Sequence, residues 1–431
     1  MIKTVHASDV PSILSGRRDA YRDIHASVRR IIDDVREHGD AAVLKYRRLY
    51  DRIDSENLTV PYRDIDGALR RIDAKTREAL EVAIERVTRF HTYEKRHIVP
   101  WRIKESRGIS YGEFFTPIER VGLYVPGGSA SYPSTVIMNA VPAIIAGVRD
   151  IVIATPSPGV PVLAAARMLG IEKVYSMGGA HAIAALAYGT ERIRRVDKIV
   201  GPGNRYVTLA KKLVYGDTGR DAVAGPSEVV VVTDGSVSPS YVAADLMAQA
   251  EHDEHAMSVL IAPGRAFIGK VDREIHRLIG TMGRKATIQR SIEQNGFAIV
   301  AADRARAMGI ANSIAPEHLE LAVRNPGAYL KQVRHAGAVF LGAYTPEVLG
   351  DYVAGPDHVL PTAGAARFSS GLGVYEFMKK TTLLEVKHSG FPRLAPYAEQ
   401  IAMAEGLAAH ALAARIRMDG KPPYRSRRPT L

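Results

Sequence analysis

The fold is decided between residues 121 and 204, where the chain reads VGLYVPGG (121–128), DIVIATPSP (150–158), KVYSMGG (173–179) and KIVGPGN (198–204). Each is a short apolar run closed by Gly or Pro, and the segments between them, 134–148, 160–169 and 180–187, have helical patterning. Strands alternating with helices build parallel βαβ units. A second series follows in SEVVVVTDG (227–235), SVLIAP (258–263), GFAIVAA (296–302) and GAVFLGAY (337–344), again separated by helix-length segments. The class is therefore α/β, with two incomplete Rossmann-like parallel-sheet domains.

Working outward, Ile24, Val28, Ile31, Ile32 and Val35 recur at spacings of three and four, which predicts an amphipathic helix that His38-Gly39-Asp40 interrupts. Beyond 372 no strand rhythm is evident, and 397–417 reads as one Ala-rich helix. The expected layout is a helical segment over 1–22, a first α/β domain split between 23–123 and 229–371, a second over 124–228, and a helical domain over 372–431.

Of 431 residues, 46% are hydrophobic and 24% charged, the make-up of a globular chain with a sizeable core. There is no cysteine, so disulfides, thiolate ligands and cysteine nucleophiles are excluded, and a metal would need N or O ligands. The net charge of +12 raises the question of nucleic acid, but the basic residues are spread along amphipathic stretches and the one dense run is the tail KPPYRSRR (421–428). No nucleic-acid partner is expected. The longest nearly apolar stretch, 136–148, is too short to span a bilayer, and the opening MIKTVHASDVPSIL lacks the pattern of a secretion signal, so no membrane association and a cytoplasmic location are expected.

Several residues could carry chemistry. The Gly-rich turns at 127–128, 178–179 and 201–204 could cradle phosphate, although ordinary βα turns account for them equally and Tyr206 breaks the GxGxxG pattern. Gln249 and His252, three apart on a predicted helix, share a face and could share a cation. Pro316 precedes Glu317 and His318 at what reads as a helix start, a carboxylate and an imidazole suited to proton transfer or simply to the first turn of a helix. Asp351, Asp357 and His358 occupy the Gly/Pro-rich loop GDYVAGPDHVLPT (350–362), and Glu405 and His410 stand about 140° apart on an ideal helix.

Taken together, RVGLYVPGG (120–128), GPGNRYV (201–207), AGPSEV (224–229), QAEH (249–252), APEHLEL (315–321), GDYVAGPDHVLPT (350–362), ARFSSGLGV (366–374) and AEGLAAH (404–410) resemble the histidinol dehydrogenase family in order and approximate spacing. The resemblance implies a zinc-dependent, NAD-linked oxidation of L-histidinol through L-histidinal to L-histidine, with residues 124–228 binding NAD. It makes Gln249, His252, Asp351 and His410 zinc ligands, His318 the acceptor of the alcohol proton and Glu317 the base that activates water. Ser227, His358 and Glu405 would bind substrate, and Tyr124, His181 and Asn204 the dinucleotide. His181 replaces a common Gln, and Asp357 a common Asn. A homologous enzyme acting on another polar alcohol, such as a sulfonated diol, is the nearest alternative, and a non-catalytic basic nucleic-acid-binding protein a more distant one.

The family's intertwined homodimer, with each C-terminal region reaching into its partner's site, gives Glu405 and His410 a reason for their awkward spacing. Activity per subunit should then collapse on dilution below the dimer dissociation constant, and full activity in the monomer would overturn this expectation.

Overall fold

The computed structural model describes residues 2–15, 21–106, 108–127, 131–222 and 225–418, so Gly128 and the basic run 421–428 lie outside the described residues. The chain divides into two compact units, residues 1–95 with 118–377, and residues 96–117 with 378–431. Among the described residues the strands, in chain order, are β1 (Lys3–Val5), β2 (Trp101–Ser106), β3 (Ile109–Pro117), β4 (Arg120–Tyr124), β5 (Asp150–Thr155), β6 (Val174–Ser176), β7 (Lys198–Val200), β8 (Gly219–Arg220), β9 (Glu228–Thr233), β10 (Met257–Ala262), β11 (Phe297–Val300), β12 (His318–Ala322), β13 (Ala338–Leu341) and β14 (Met378–Val386).

The first unit holds two parallel sheets, ordered β1-β11-β10-β9-β12-β13 and β6-β5-β4-β7-β8. The Val-rich run of β9 is buried along its whole length because helices cover both faces of a parallel sheet. On one face of the six-stranded sheet, Val229 and Val231 pack with Val242, Leu246 and Met247 of the helix Pro239–His252; on the other, Val230 and Val232 pack with Leu319, Leu321 and Met308. The five-stranded sheet packs with the helices His25–Tyr46 and Gly179–Tyr188, through Val28, Ile31, Ile32 and Val35 on one and Ile183 and Leu186 on the other. The helix His25–Tyr46 kinks at Gly39, whose φ of +50 lets the Glu191 carboxylate approach where a Cβ would stand.

The second unit is an antiparallel sheet, β14-β3-β2, with the helices Ala395–Ala404 and Ala408–Met418. Its β14 departs from the strand-free reading beyond 372: MKKTTLLEV is largely exposed on both faces and its KK, TT and LL pairs give no clear alternation to read, and its nine-residue pairing with β3 makes it a strand. The expected single helix over 397–417 is two, broken by Gly406 in the left-handed region at φ +73. At the amino terminus, KTV is likewise a strand, β1, at the edge of the six-stranded sheet beside β11.

In the five-stranded sheet β4 lies between β5 and β7, so the chain's direction of winding reverses beside β4 and leaves a crevice at the carboxyl ends. There Gly201, at φ +113, lies so close to the Tyr124 carbonyl that a Cβ would stand 2.1 Å from it. A buried ion pair fixes this turn: Asp221 accepts the Gly201 N–H at 2.6 Å and pairs with Lys211, whose Nζ donates to the Gly201 carbonyl at 2.8 Å. Replacing Asp221 by Ala strands a buried ammonium and should cost about 3–5 kcal/mol, read as a lower urea midpoint at constant slope. An unchanged midpoint would show that the turn does not depend on the pair.

Candidate active site

The chemistry-bearing residues of the six-stranded sheet gather at the amino ends of its central strands. Glu317 and His318 do not begin a helix, as the sequence led us to expect. Ala315 ends the preceding helix, Arg304–Ile314, in the left-handed region at φ +54, Pro316 follows, and His318 opens β12. Propensity for a helix start yields here to pairing with β9 and β13 on either side. Both side chains are buried and tied to the first residue of β9: the Glu228 N–H donates to Glu317 Oε2 at 2.8 Å, and His318 Nδ1 lies 3.2 Å from the Glu228 carbonyl. A carbonyl can only accept, so Nδ1 carries a proton and donates it there, while Nε2 has no hydrogen-bond partner.

Two carboxylates flank that ring. Glu347 Oε2 is 3.6 Å from Nδ1 and Asp351 Oδ1 is 3.6 Å from Nε2, both from the short helix Glu347–Tyr352. Burial alone would depress the His318 pKa, but Glu317, Asp351 and Glu347 override it and lift it to about 10. Burial pushes Glu317 up to about 7, against the opposing charge of His318. Asp351 would also be raised by burial, yet His318, His358 and His252 bring it below its ordinary value. The His358 ring donates from Nδ1 to the Asp351 carbonyl at 2.8 Å, leaving its Nε2 as an acceptor.

The helix Pro239–His252 delivers Gln249 and His252 to the same edge in its last turn, where the helix dipole favours cations. Gln249 is fully buried and neither its amide oxygen nor its nitrogen has a hydrogen-bond partner. An amide so placed costs about 1–3 kcal/mol unless something else fills its valence, which is the behaviour of a metal ligand. Among the described residues no group of three His, Asp or Glu side chains already stands at metal-binding geometry. Ser227 is half-buried just before β9. Glu405 and His410 belong to the second unit, where both are exposed; Glu405 caps one helix and His410 lies in the next, so the single-helix angle between them does not apply.

At the five-stranded sheet, the Tyr124 hydroxyl accepts the Gly179 N–H at 3.1 Å, and burial raises its pKa. His181 is fully buried, with Nε2 3.1 Å from Asp51, whose carboxylate also accepts the Gly178 N–H at 2.9 Å. The His181 ring thus serves the glycine turn through Asp51. Asn204 is exposed and caps the helix Arg205–Leu213, accepting from Tyr206 and Val207 N–H groups.

Sequence reading missed Asp245, Glu228, Glu320 and Glu347. Glu228, Glu320 and Glu347 are buried, and the available signal was a carboxylate inside an apolar strand, as in HLELA (318–322).

The histidinol dehydrogenase family model matches residues 15–418. Among curated relatives, the chain is 50% identical over 393 residues to "Histidinol dehydrogenase" of Aquifex aeolicus, covering 91% of this chain and 92% of that protein. It is 48% identical over 423 residues to that of Burkholderia pseudomallei, covering 96% and 95%. Among solved structures, it is similar to histidinol dehydrogenase from Elizabethkingia anophelis, with a TM-score of 0.87, 33% identity and 92% of each chain covered.

Asp357, beside His358, is buried with Oδ1 accepting the Val359 N–H at 2.7 Å and Oδ2 3.7 Å from His91 Nε2. Burial raises its pKa well above the usual value. The folded protein therefore keeps a proton that the unfolded chain releases above about pH 4, and stability falls as pH rises from there toward the folded value. Asp357→Asn, which still accepts from Val359, should raise the denaturation midpoint more at pH 8 than at pH 5. An equal change at both pH values would show that Asp357 is not held protonated.

Proposed function

The chain belongs to the histidinol dehydrogenase family, an NAD-dependent oxidoreductase family of histidine biosynthesis, and we propose that it oxidises L-histidinol to L-histidine in two hydride transfers to NAD with one bound zinc. The observation that carries this reading is the buried Glu317–His318 pair beside Asp351 and the unpartnered Gln249 amide. Gln249, His252 and Asp351 would hold zinc together with His410, which we assign to a second copy of the chain. Zinc bound there would anchor the substrate's imidazole and amine and so orient its alcohol carbon.

In the first oxidation His318 takes the hydroxyl proton at Nε2 while the carbinol hydrogen leaves as hydride, giving histidinal; the ring must be neutral for this, and a bound cation would favour that form by offsetting the carboxylates that otherwise hold it protonated. In the second, Glu317 takes a proton from water as its oxygen adds to the aldehyde, and the resulting hydrate loses the second hydride to give the carboxylate. A carboxyl with a pKa near 7 suits that task at neutral pH. Each histidinol consumes two NAD and one water. Ser227, His358 and Glu405 would hold the substrate's polar groups, and Tyr124, Asn204 and the His181-braced turn the dinucleotide. Among the described residues no helix is long and apolar enough to cross a membrane.

Zinc-loaded protein given L-histidinol and NAD should form two NADH per histidinol and lose that activity on chelation. No turnover by zinc-bound dimers would overturn the assignment and leave another polar alcohol, such as a sulfonated diol, as the substrate.

A further inference from the structure

The groups assigned to the reaction in the first unit come largely from three elements: the helix Pro239–His252 with Gln249 and His252, β12 with His318 at its start, and the helix Glu347–Tyr352 with Asp351. A second set of contacts joins the same three elements. Asp245, one turn before Gln249, hydrogen-bonds with Glu320, two residues after His318. Glu320 Oε1 in turn accepts the backbone N–H of Glu347 at 2.7 Å.

The placement follows from strand geometry. His318 and Glu320 are two apart and so share a face of β12, opposite Val229 and Val231 in register, and that face is the one the helix Pro239–His252 covers. Two carboxyl groups can hydrogen-bond only if one keeps its proton. Burial raises both, and the hydrogen bond between them lowers Asp245 while raising Glu320, which makes Glu320 the donor and Asp245 the accepting carboxylate. Through Oε1 Glu320 also pins the first N–H of the short helix. That helix sets Glu347 against one nitrogen of His318 and Asp351 against the other, each at 3.6 Å. A shift of the helix would move both contacts.

We propose that Asp245 and Glu320 are positioning residues: the Asp245–Glu320 and Glu320–Glu347 hydrogen bonds fix the spacing between the metal-bearing helix, the His318 strand and the Asp351 helix. This rests on the proposed function, which makes Gln249, His252 and Asp351 ligands and His318 the proton acceptor.

The test compares Glu320→Gln with Glu320→Ala and Asp245→Ala in the full-length protein, by zinc competition against a chromophoric chelator and by steady-state kinetics. The Gln amide can still accept from Glu347 and donate to Asp245, so Glu320→Gln should keep zinc affinity and kcat within about threefold, whereas the Ala variants should bind zinc about 10–100-fold more weakly. At saturating zinc they should lower kcat about tenfold with the KM for NAD unchanged, because the dinucleotide is assigned to the other sheet. Asp245 is only half-buried, so Asp245→Ala decides the matter if Glu320→Ala does not fold. Wild-type zinc affinity and kcat in the Ala variants overturn the proposal. So does an equal loss in Glu320→Gln, since the effect would then follow the carboxyl group and not the hydrogen bonds. Zinc-bound wild type that leaves histidinol untouched refutes the proposed function alone, and the zinc series still decides this inference.

Discussion

The two reactive side chains at the heart of the candidate site, Glu317 and His318, depend on the backbone of one residue. Glu228 opens β9, and its N–H and C=O reach the two side chains that begin the neighbouring strand: the first holds the Glu317 carboxylate, the second the His318 ring. Because β12 runs parallel to β9 with His318 opposite Val229, these contacts are consequences of sheet register. A one-residue slip would turn His318 to the opposite face, among Leu319, Leu321 and their neighbours. The orientation of the His318 ring, with Nδ1 donating to the Glu228 carbonyl, is thus set by the fold itself, before any ligand arrives.

The residues assigned to the dinucleotide and to the metal lie at opposite ends of their parallel sheets. The five-stranded sheet follows the common rule for open α/β sheets, with Tyr124 and Gly201 at the carboxyl ends of β4 and β7, where the strand order reverses. The six-stranded sheet places Glu317, His318 and His252 at its amino ends. There the helix Pro239–His252 terminates and its carbonyl end carries partial negative charge. Helix amino termini at the carboxyl edge favour phosphate, and helix carboxyl termini at the amino edge favour a cation. One α/β architecture therefore offers environments of opposite sign, one suited to an anionic ligand and one to a cation.

What was legible in the sequence was whatever repeats. The βαβ rhythm gave both parallel sheets, and the spacing of Gln249 and His252 gave their shared helix face. β1 and β14 were not legible, one being three residues long and the other made of like pairs, KK, TT and LL, that blur any alternation, so neither has a clear periodicity before its partner strand supplies one. Glu317 and His318 stood out as a pair, but the local signal of Pro followed by Glu fits a helix start as well as a strand entry, and only β9 and β13 decide between them. Asp245, Glu320 and Glu347 were missed because a single carboxylate on a helix or strand has no partner in its own neighbourhood; theirs are 75 and 27 residues away.

Buried polar atoms without a hydrogen-bond partner occur in several places, Arg120 and Asn139 among them, but several gather at one edge of the six-stranded sheet. The buried Lys211–Asp221 pair that sets the Gly201 turn is closed by contacts on both partners, as a structural ion pair must be. At the amino edge of the six-stranded sheet the opposite holds: both polar atoms of the Gln249 amide, both Glu347 oxygens and Nε2 of His318 are buried without a hydrogen-bond partner. Such groups work against folding, and a cluster of them beside the residues assigned to zinc is what a bound ligand would satisfy. Asp245 and Glu320 close their own valences just beneath, so a satisfied layer supports an unsatisfied one. That order, with rigidity below and open valence above, lets a buried polar cluster bind and react instead of collapsing on itself.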